Sequence, residues 1–456
     1  MLLYGAIIKA CSVMHKISYF CALENMNKTK AKEIILEQKK EAENVLKDKT
    51  IEREVERQAA KSLGNNLIKV ITGVRRSGKS ILAHRLLQAD DYSYINFDDE
   101  RLLGVKTSDL NDLLEILNEI NPKARYLLFD EIQNVVGWEL FVNRLKRNNY
   151  NIIITGSNSK LLSGELATHL TGRHTEIELY PFSFKEFLLY QGKRFSDDDF
   201  HLTNKRAEIK KLLNAYLISG GFPELFKIET KKQYLRDLHD KIINRDIVER
   251  HNIKYARTIK EISLFLLANF GSKITYHKIK NVFEIKSVHT VKKYIHYLEG
   301  AYLVSELLPF SFKIKEQIKK PRKVYGIDIG LIGAISANFS PNTGRTIENI
   351  VFLELKKRRE EIYFYTDAND KEVDFVIKKG LKARELIQVC FNLGDEDVKK
   401  REIDSLVIAS KELKCNNLSI ITWDEEKQEK IKGKNIKFIP LWKWLLEDGV
   451  YVQKNI

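Results

Sequence analysis

The feature that most constrains the fold of this chain is the segment Gly73–Ser80, which matches the pattern G-x-x-x-x-G-K-S. A short apolar run, Leu67–Thr72, leads into it, and a helix-forming run, Ser80–Leu87, follows it. Glycine adopts backbone angles that other residues avoid, which lets consecutive N–H groups face one anionic group. The amino end of the following helix adds a positive dipole end. The order of strand, loop and helix therefore predicts an α/β fold with a phosphate-binding loop.

The residue types in this loop point to ATP with Mg²⁺ as the ligand. Lys79 is expected to reach the β- and γ-phosphates, and the hydroxyl of Ser80 is expected to bind the metal ion. The alternative, a glycine-rich turn without a ligand, does not account for the strand and the helix on either side. We assign nucleotide binding to Gly73, Val74, Arg75, Arg76, Ser77, Gly78, Lys79 and Ser80.

A second apolar run ends in an acidic pair, Asp130-Glu131. Asp130 is predicted to hold Mg²⁺, directly or through water, and Glu131 to polarise the attacking water. Taken alone, the pair is also compatible with an acidic turn at the end of a strand. Together with the loop it predicts ATP hydrolysis.

Five apolar runs alternate with helix-like segments, which predicts a parallel sheet with helices on both faces. They are Leu67–Thr72, Tyr92–Phe97, Arg125–Phe129, Asn151–Thr155 and Thr175–Tyr180. One of them lies between the loop and the acidic pair. That order resembles the AAA-like division of P-loop NTPases, in which the fourth run lies beside the strand that carries Asp130.

This resemblance implies further site residues. Ser157 and Asn158 follow the fourth strand, where a sensor hydrogen-bonds the γ-phosphate or the water. Arg173 precedes the fifth strand, where these enzymes place an arginine finger that acts on a neighbouring subunit, so a homo-oligomer is implied; the alternative is an ordinary surface arginine. Pro223 lies in a segment, Ser219–Glu224, that resembles the adenine-packing element of related signalling ATPases. The alternative there is a helix-breaking turn.

Three runs carry a closer resemblance: Val70–Ser80, Phe129–Asn134 and Thr155–Ser163. They are similar to prokaryotic AAA-like ATPases that carry a C-terminal domain of unknown function, DUF4143. The likeness covers nearly everything after Met26. Because all 3 methionines lie within the first 26 residues, we also expect Met26 to be the natural start.

The pattern along the chain divides it into five predicted domains. An N-terminal extension and helical lead-in covers residues 1–62, and an AAA-like ATPase core covers 63–190. A helical lid follows over 191–255 and a winged helix over 256–326. The DUF4143 domain, an α/β nuclease-like fold, covers 327–456.

The winged helix is predicted from a helix–turn–helix pattern over Ile274–Val304, in which Ser287 caps the second helix. Inward positions at helical spacing are Val288, Val291, Ile295 and Leu298, and outward positions are His289, Thr290, Lys292 and Lys293. A basic hairpin follows, with Lys313, Lys315, Lys319, Lys320, Arg322 and Lys323. This wing and the net charge of +15 favour DNA as a partner. The alternatives are protein contacts, an ATPase lid or a lysine-rich proteome.

The C-terminal domain resembles the core of restriction-endonuclease-like folds, in which carboxylates on two neighbouring strands hold Mg²⁺ beside a lysine. Asp374 fits the first position, and Gln388, a poorer ligand, fits the second. Cys390 stands where the lysine is required. Glu354 is a candidate further ligand, and Lys378 a candidate replacement lysine. We therefore expect a degenerate nuclease fold that is used for binding.

Three functional hypotheses remain. The leading one is a cytoplasmic ATPase whose nucleotide state rearranges a DNA-associated C-terminal half. The others are an ATP-gated, metal-dependent nuclease and a signalling ATPase that acts through protein partners. The 4 cysteines include no CxxC pair, which fits a reducing cytoplasm. No apolar run reaches the roughly 20 residues of a membrane span, so no membrane partner is expected.

Overall fold

A computed structural model describes residues 28–47, 49–157, 172–336 and 343–447, and it divides them into two compact units. The first unit holds the described residues up to Thr72, Lys79–Gly156, and those from 172 to Glu178. The second holds Gly73–Gly78, Ser157 and the described residues from Leu179 onward. No helix within these ranges is long and apolar enough to cross a membrane.

The first unit is built on a five-stranded parallel sheet in the order β2-β3-β4-β1-β5. Its strands are Ile68–Thr72 (β1), Tyr92–Asn96 (β2), Tyr126–Asp130 (β3), Asn151–Gly156 (β4) and His174–Glu178 (β5). All five predicted strands are present, and β4 pairs with β3 as expected. β1 and β3 are buried along their whole length, which explains their continuous apolar sequence.

The described residues of this unit form five α-helices: Lys28–Lys47 (α1), Glu56–Leu63 (α2), Lys79–Leu86 (α3), Leu110–Ile120 (α4) and Trp138–Arg147 (α5). The predicted helical lead-in includes α1, which packs against the core of this unit. Ile34 and Ile35 of α1 are buried in the core of the unit. The buried side chain of Gln38 donates a hydrogen bond of 3.1 Å to the carbonyl oxygen of Asn96 at the end of β2.

The second unit begins with the helices Phe184–Tyr190 (α6), Thr203–Ser219 (α7) and Lys231–Lys241 (α8). A π-helical segment, Ile242–Glu249, continues α8, and Ala256–Ala268 (α9) follows. Residues 191–255, which the sequence predicts to be helical, are thus largely helical. π-helical segments are rare and are frequent at functional sites.

A small antiparallel sheet follows, in the order β6-β8-β7. Its elements are Lys273–Ile274 (β6), Tyr276–Val282 (α10), Val288–Gly300 (α11), Val304–Leu307 (β7), Ile314–Lys319 (α12) and Arg322–Gly326 (β8). The side chain of Ser287 accepts a hydrogen bond from the N–H of His289 and caps α11 as predicted. The hairpin that joins β7 to β8 differs from the prediction, because it contains α12.

The C-terminal part carries a six-stranded mixed sheet in the order β13-β14-β12-β11-β10-β9. The strands are Glu361–Thr366 (β9), Glu372–Lys379 (β10), Lys382–Val389 (β11), Leu418–Thr422 (β12), Lys427–Ile431 (β13) and Lys434–Pro440 (β14). Its helices are Ile329–Ile335 (α13), Thr343–Lys357 (α14), Glu396–Glu412 (α15) and Leu441–Leu446 (α16). The apolar runs Val373–Ile377, Leu386–Cys390, Leu418–Thr422 and Ile436–Ile439 predict four strands in this part. All four are present, and β9 and β13 join them as edge strands.

Candidate functional site

The loop between β1 and α3 has the backbone that its glycines predict. Gly73 has a φ of +151°, and a Cβ atom there would lie 2.0 Å from the carbonyl oxygen of Leu179. Gly78 has a φ of 95°, and Arg76 adopts a φ of 69°, which is uncommon for a residue with a side chain. Substituting Gly73 would therefore force the loop away from its neighbour.

Lys79 and Ser80 meet the acidic pair within the first unit. The Nζ atom of Lys79 lies 3.7 Å from Oε1 of Glu131, and the lysine side chain is 5% exposed. Ser80 hydrogen-bonds the carboxyl group of Asp130. Burial, with the neighbouring Glu131 carboxylate, raises the pKa of Asp130, although the hydrogen bond from Ser80 acts in the opposite direction. The structure thus brings together the four residues that the sequence assigns to phosphate, metal ion and water.

Thr155, at the end of β4, orients both members of the acidic pair. Its hydroxyl donates to Asp130, and its carbonyl oxygen accepts a hydrogen bond of 3.1 Å from the N–H of Glu131. Glu131 has a φ of 52°, and its carboxylate also accepts a hydrogen bond from the side chain of Gln133. Sequence reasoning gave no role to Thr155 or Gln133, although both lie in the runs that carry the family resemblance.

This set of groups fits a nucleoside triphosphate with Mg²⁺. An ammonium group and loop N–H groups suit phosphate oxygens, and a hydroxyl beside a carboxylate suits Mg²⁺ completed by phosphate oxygens and water. Within the described residues, no group of three or more His, Cys, Asp or Glu side chains is arranged to hold a metal ion. A Mg²⁺ ion here would therefore share Ser80 and Asp130 with the phosphates.

Within the second unit, Arg75 of the loop is held by an aspartate that is distant in sequence. Its Nε and Nη2 atoms each donate a hydrogen bond of 3.2 Å to the carboxylate of Asp246, which is 3% exposed. The hydroxyl of Ser157 also donates to Asp246, over 3.4 Å, and Arg250 lies 3.9 Å from it. Asp246 belongs to the π-helical segment. No spacing pattern could have found it, because 171 residues separate it from Arg75.

The next loop residue, Arg76, lies 2.8 Å from Glu224, which directly follows Pro223. The hydroxyl of Tyr234 donates to the same carboxylate. The proline segment and the loop are therefore linked by an ion pair. This places Pro223 next to loop side chains, while its predicted contact with adenine stays a prediction.

The close packing around Gly220 and Gly221, which precede Pro223, explains why both positions are glycine. Gly220 has a φ of +73°, and a Cβ atom there would lie 2.2 Å from Oδ1 of Asp328. A Cβ atom on Gly221 would lie 2.3 Å from the carbonyl oxygen of Phe182. Both glycines thus permit close contact with other groups of this chain, Asp328 and Phe182.

Arg173 and Asn158 complete the predicted catalytic set. Arg173 is exposed, and its carbonyl oxygen accepts a hydrogen bond of 2.9 Å from the N–H of Ile68 at the start of β1. The phosphate loop leaves the other end of β1, about 16 Å away at roughly 3.3 Å per residue. Arg173 thus lies at the amino end of β1, too far from the carboxyl end to act on a nucleotide at the loop of its own chain. Asn158 lies outside the described residues.

Part of the set of residues predicted to face DNA is exposed. Lys292 and Lys293 on α11 are exposed with His289, whereas Thr290 is half-buried. The exposed lysines of the hairpin are Lys313, Lys315, Lys319 and Lys320. Arg322 and Lys323 were wrongly predicted to face DNA, because Lys323 is buried and Arg322 is half-buried in an ion pair with Glu306. The guanidinium of Arg322 is 2.6 Å from Oε2 of Glu306.

The predicted nuclease-like pair lies together in the C-terminal sheet. The side chain of Gln388 accepts a hydrogen bond of 3.2 Å from the N–H of Asp374, and Asp374 accepts one of 3.0 Å from the N–H of Val389. Cys390 is buried, and this burial, with the nearby Glu402, raises the pKa of its thiol to about 11. A thiol in that state does not replace a lysine ammonium.

The two candidate partners of Asp374 were wrong. Glu354 forms an ion pair of 2.8 Å with Arg358, just beyond the end of α14. Lys378 pairs with Glu361 of β9 over 2.6 Å, and the register of β10 against β11 shifts between Ile377 and Lys378, which separates Lys378 from Asp374. Asp374 instead pairs with Lys323 of β8, which also pairs with Glu348 of α14.

Three families describe successive parts of the chain. An AAA domain matches residues 65–188. A domain of unknown function, DUF8612, matches residues 210–342, and a second one, DUF4143, matches residues 343–444.

Relatives extend this match over most of the chain. An uncharacterised protein of Methanocaldococcus jannaschii is 42% identical over 419 residues, which cover 88% of this chain and 92% of the relative. An uncharacterised protein of Haemophilus influenzae is 35% identical over 413 residues, which cover 84% and 95%.

Solved structures are more distant. The Walker-type ATPase PABY2304 of Pyrococcus abyssi aligns at 14% identity with a TM-score of 0.39, over 63% of this chain and 96% of that one. The Orc1 protein of Aeropyrum pernix, solved in complex with DNA, aligns at 15% identity with a TM-score of 0.29, over 62% and 92%. The matched domains, the strand order and the relatives agree with one another. The chain belongs to the family of AAA-type P-loop ATPases that carry a C-terminal DUF4143 domain.

Proposed function

We propose that this protein is a Mg²⁺-dependent ATP hydrolase. One observation carries the proposal: Lys79 and Ser80, at the start of α3, lie against Glu131 and Asp130, at the end of β3. Positioning and electrostatic stabilisation account for most of phosphoryl-transfer catalysis, and these four residues supply both. The free thiols of Cys390 and Cys415 fit a reducing cytoplasm, where we place this activity.

Each residue has a distinct task in this proposal. Bound Mg²⁺ would neutralise charge on the phosphates beside Ser80 and Asp130. Lys79 neutralises the transferred phosphoryl group and leaves Glu131 as it does so. Glu131, released from that ion pair and still held by Gln133, accepts a hydrogen bond from the attacking water.

Two variants test the assignment. Lys79→Ala should lose ATP binding or turnover, and Glu131→Gln should bind ATP but turn it over at least about a hundredfold more slowly. Lys32→Ala and Glu119→Gln are matched controls, since these residues form an exposed ion pair with each other on α1 and α4. Binding is measured with a fluorescent ATP analogue and turnover by phosphate release. Undiminished turnover in both site variants would refute the proposal.

We further propose that Arg173 acts on the nucleotide of a neighbouring copy. The support is that Arg173 is exposed and lies at the amino end of β1, whereas the phosphate loop of its own chain leaves the carboxyl end. Arg173→Ala and Lys79→Ala should each be inactive alone, whereas a mixture should regain turnover, since an Lys79→Ala copy still supplies an arginine to its neighbour. Absence of recovery in mixtures that co-assemble would show that Arg173 is a surface residue.

DNA association is a second proposed property. It is supported by the exposed lysines on α11 and in the segment between β7 and β8. Contacts of lysine with phosphate release counterions, so the logarithm of the affinity for duplex DNA should fall linearly with the logarithm of salt concentration. Anisotropy of a labelled duplex, measured at several salt concentrations with and without ATP, tests this. An affinity that does not change with salt would favour a switch that acts through protein partners.

A further inference from the structure

The amino group of Lys323 lies in a cluster of carboxylates inside the second unit. Its Nζ atom is 2.7 Å from Oε1 of Glu348, 2.5 Å from Oε1 of Glu372 and 2.9 Å from Oδ1 of Asp374. An ammonium group has three N–H donors, and each finds a charged acceptor here. The lysine side chain is only 3% exposed, so this is an internal site.

The carboxylates converge on the lysine from separate elements. Glu348 projects from α14, and Glu372 and Asp374 belong to β10. The pairing of β10 with β9 is irregular between Val373 and Val376, which is where Asp374 lies. Irregularities of this kind re-aim side chains and are frequent beside active sites. The result is a cage of carboxylate oxygens that converge on the ammonium group, and with that group in place the cage is not arranged to hold a metal ion.

This cage does not fit a metal ion while Lys323 is in place. A Mg²⁺ ion requires its oxygen ligands at about 2.0–2.1 Å on all sides, and the ammonium group already lies among those oxygens. Lys273 adds a second positive charge, 2.8 Å from Oε2 of Glu372. A divalent cation would have to enter against both charges.

We propose that Lys323 is a built-in substitute for the divalent cation of the predicted nuclease-like core. The ammonium group occupies the position of the metal ion, neutralises the carboxylates and excludes metal ions from solution. Because Lys323 and Lys273 belong to β8 and β6, the same contacts fasten the small three-stranded sheet to the C-terminal sheet. The C-terminal core is thus a metal-free binding and scaffolding element, and its cation site is masked by the chain itself.

The test measures Mn²⁺ binding to the full chain without nucleotide, from the loss of the EPR signal of free Mn²⁺. The wild-type protein should show no site that depends on Asp374. Lys323→Met should gain one site, with an affinity at least about tenfold above any wild-type background, a change of 1.4 kcal/mol. The gained site should vanish in Lys323→Met/Asp374→Asn. Lys378→Met is the matched control, because it removes a lysine from β10 whose partner is Glu361, and it should gain nothing.

Two results would overturn the proposal. One is a wild-type Mn²⁺ site that Asp374→Asn abolishes, since the lysine would then not mask the cage. The other is a folded Lys323→Met protein without any gained site. If Lys323→Met does not fold, Lys323→Met/Glu348→Gln removes the excess negative charge and keeps Glu372 and Asp374 as ligands. Failure of that folded variant to bind Mn²⁺ counts equally against the proposal.

Discussion

Two buried lysines face carboxylates in this protein, and they are held in different ways. Lys79 opens α3, its side chain is 5% exposed, and its Nζ atom lies 3.7 Å from Glu131. Lys323 lies in β8, its side chain is 3% exposed, and three carboxylate oxygens lie within 2.9 Å of it. Their exposure is nearly equal, so burial alone does not distinguish them. What differs is the length of these ion pairs, 3.7 Å from Lys79 to Glu131 and at most 2.9 Å from Lys323 to its three carboxylates.

This difference separates a lysine that serves a ligand from one that serves the fold. An ammonium group that moves to a phosphate gives up its internal partner, so a long ion pair suits it. An ammonium group that stays in place gains most from short contacts that satisfy all its donors. Binding sites are commonly left short of maximal stability for this reason. Lys79 should therefore matter for turnover, and Lys323 for the free energy of unfolding.

The largest expected effect is on stability in Lys323→Met. The substitution leaves Glu348, Glu372 and Asp374 buried without their shared cation. Breaking a buried ion pair on one side costs about 3–5 kcal/mol. Urea denaturation should show a loss of unfolding free energy in that range, while the affinity for ATP changes little. A loss below about 1 kcal/mol would remove the contrast between the two lysines.

Lys79→Met should give the opposite pattern. Turnover of ATP should fall by about 10²–10³-fold, because the phosphoryl group loses the cation that neutralises it. The free energy of unfolding should change by less than about 1 kcal/mol. Steady-state phosphate release and urea denaturation of the same preparation provide both values. A large stability loss would mean that Lys79, like Lys323, is part of the fold.

The two lysines also show which contacts could be predicted from the sequence and which could not. The sequence predicts that Lys79 and Glu131 lie at one site, and the structure places them 3.7 Å apart, because the sequence neighbours of Lys79, a strand, two glycines and a helix, are also its neighbours in space. The five strands of the first sheet were found from short apolar runs between helices, and two of them, β1 and β3, are buried on both faces.

Lys323 was assigned to a DNA-binding wing because exposed lysines precede it, Lys319 and Lys320 among them. Its real partners lie 25, 49 and 51 residues further along the chain, a separation at which spacing carries no information. Asp246 was missed for the same reason. Charged residues that are buried by tertiary contacts have the same sequence signature as charged residues in water.

Asp246→Asn should fall between the two lysine variants. The carboxylate accepts two hydrogen bonds from Arg75 and one from Ser157, and hydrogen bonds to charged groups contribute about 1.5–3 kcal/mol. We expect a stability loss near the lower end of that range and a fall in turnover of about tenfold, because Arg75 loses the anchor that fixes the loop. Asp237→Asn, on the exposed face of α8, is the matched control.

A loss of stability without any loss of turnover in Asp246→Asn would place this aspartate with Lys323, as a residue of the fold. A loss of turnover alone would place it with Lys79. The combined effect is the expected result, since Asp246 joins the phosphate loop to the π-helical segment within the same unit. Comparing both measurements with those of Asp237→Asn separates the local effect from a general effect of charge.

The smallest expected effect concerns an exposed lysine, Lys313, whose side chain is 79% exposed. Its ion pair with Glu316 lies at the surface, where such pairs contribute about 0–1 kcal/mol. Lys313→Met should therefore leave stability and ATP turnover nearly unchanged. In a plot of the logarithm of DNA affinity against the logarithm of salt concentration, it should reduce the slope by about 1. An unchanged slope in Lys313→Met and in Lys292→Met would remove DNA from the proposal. The exposed lysines would then serve solubility alone, and the charge that matters in this protein would be the buried charge.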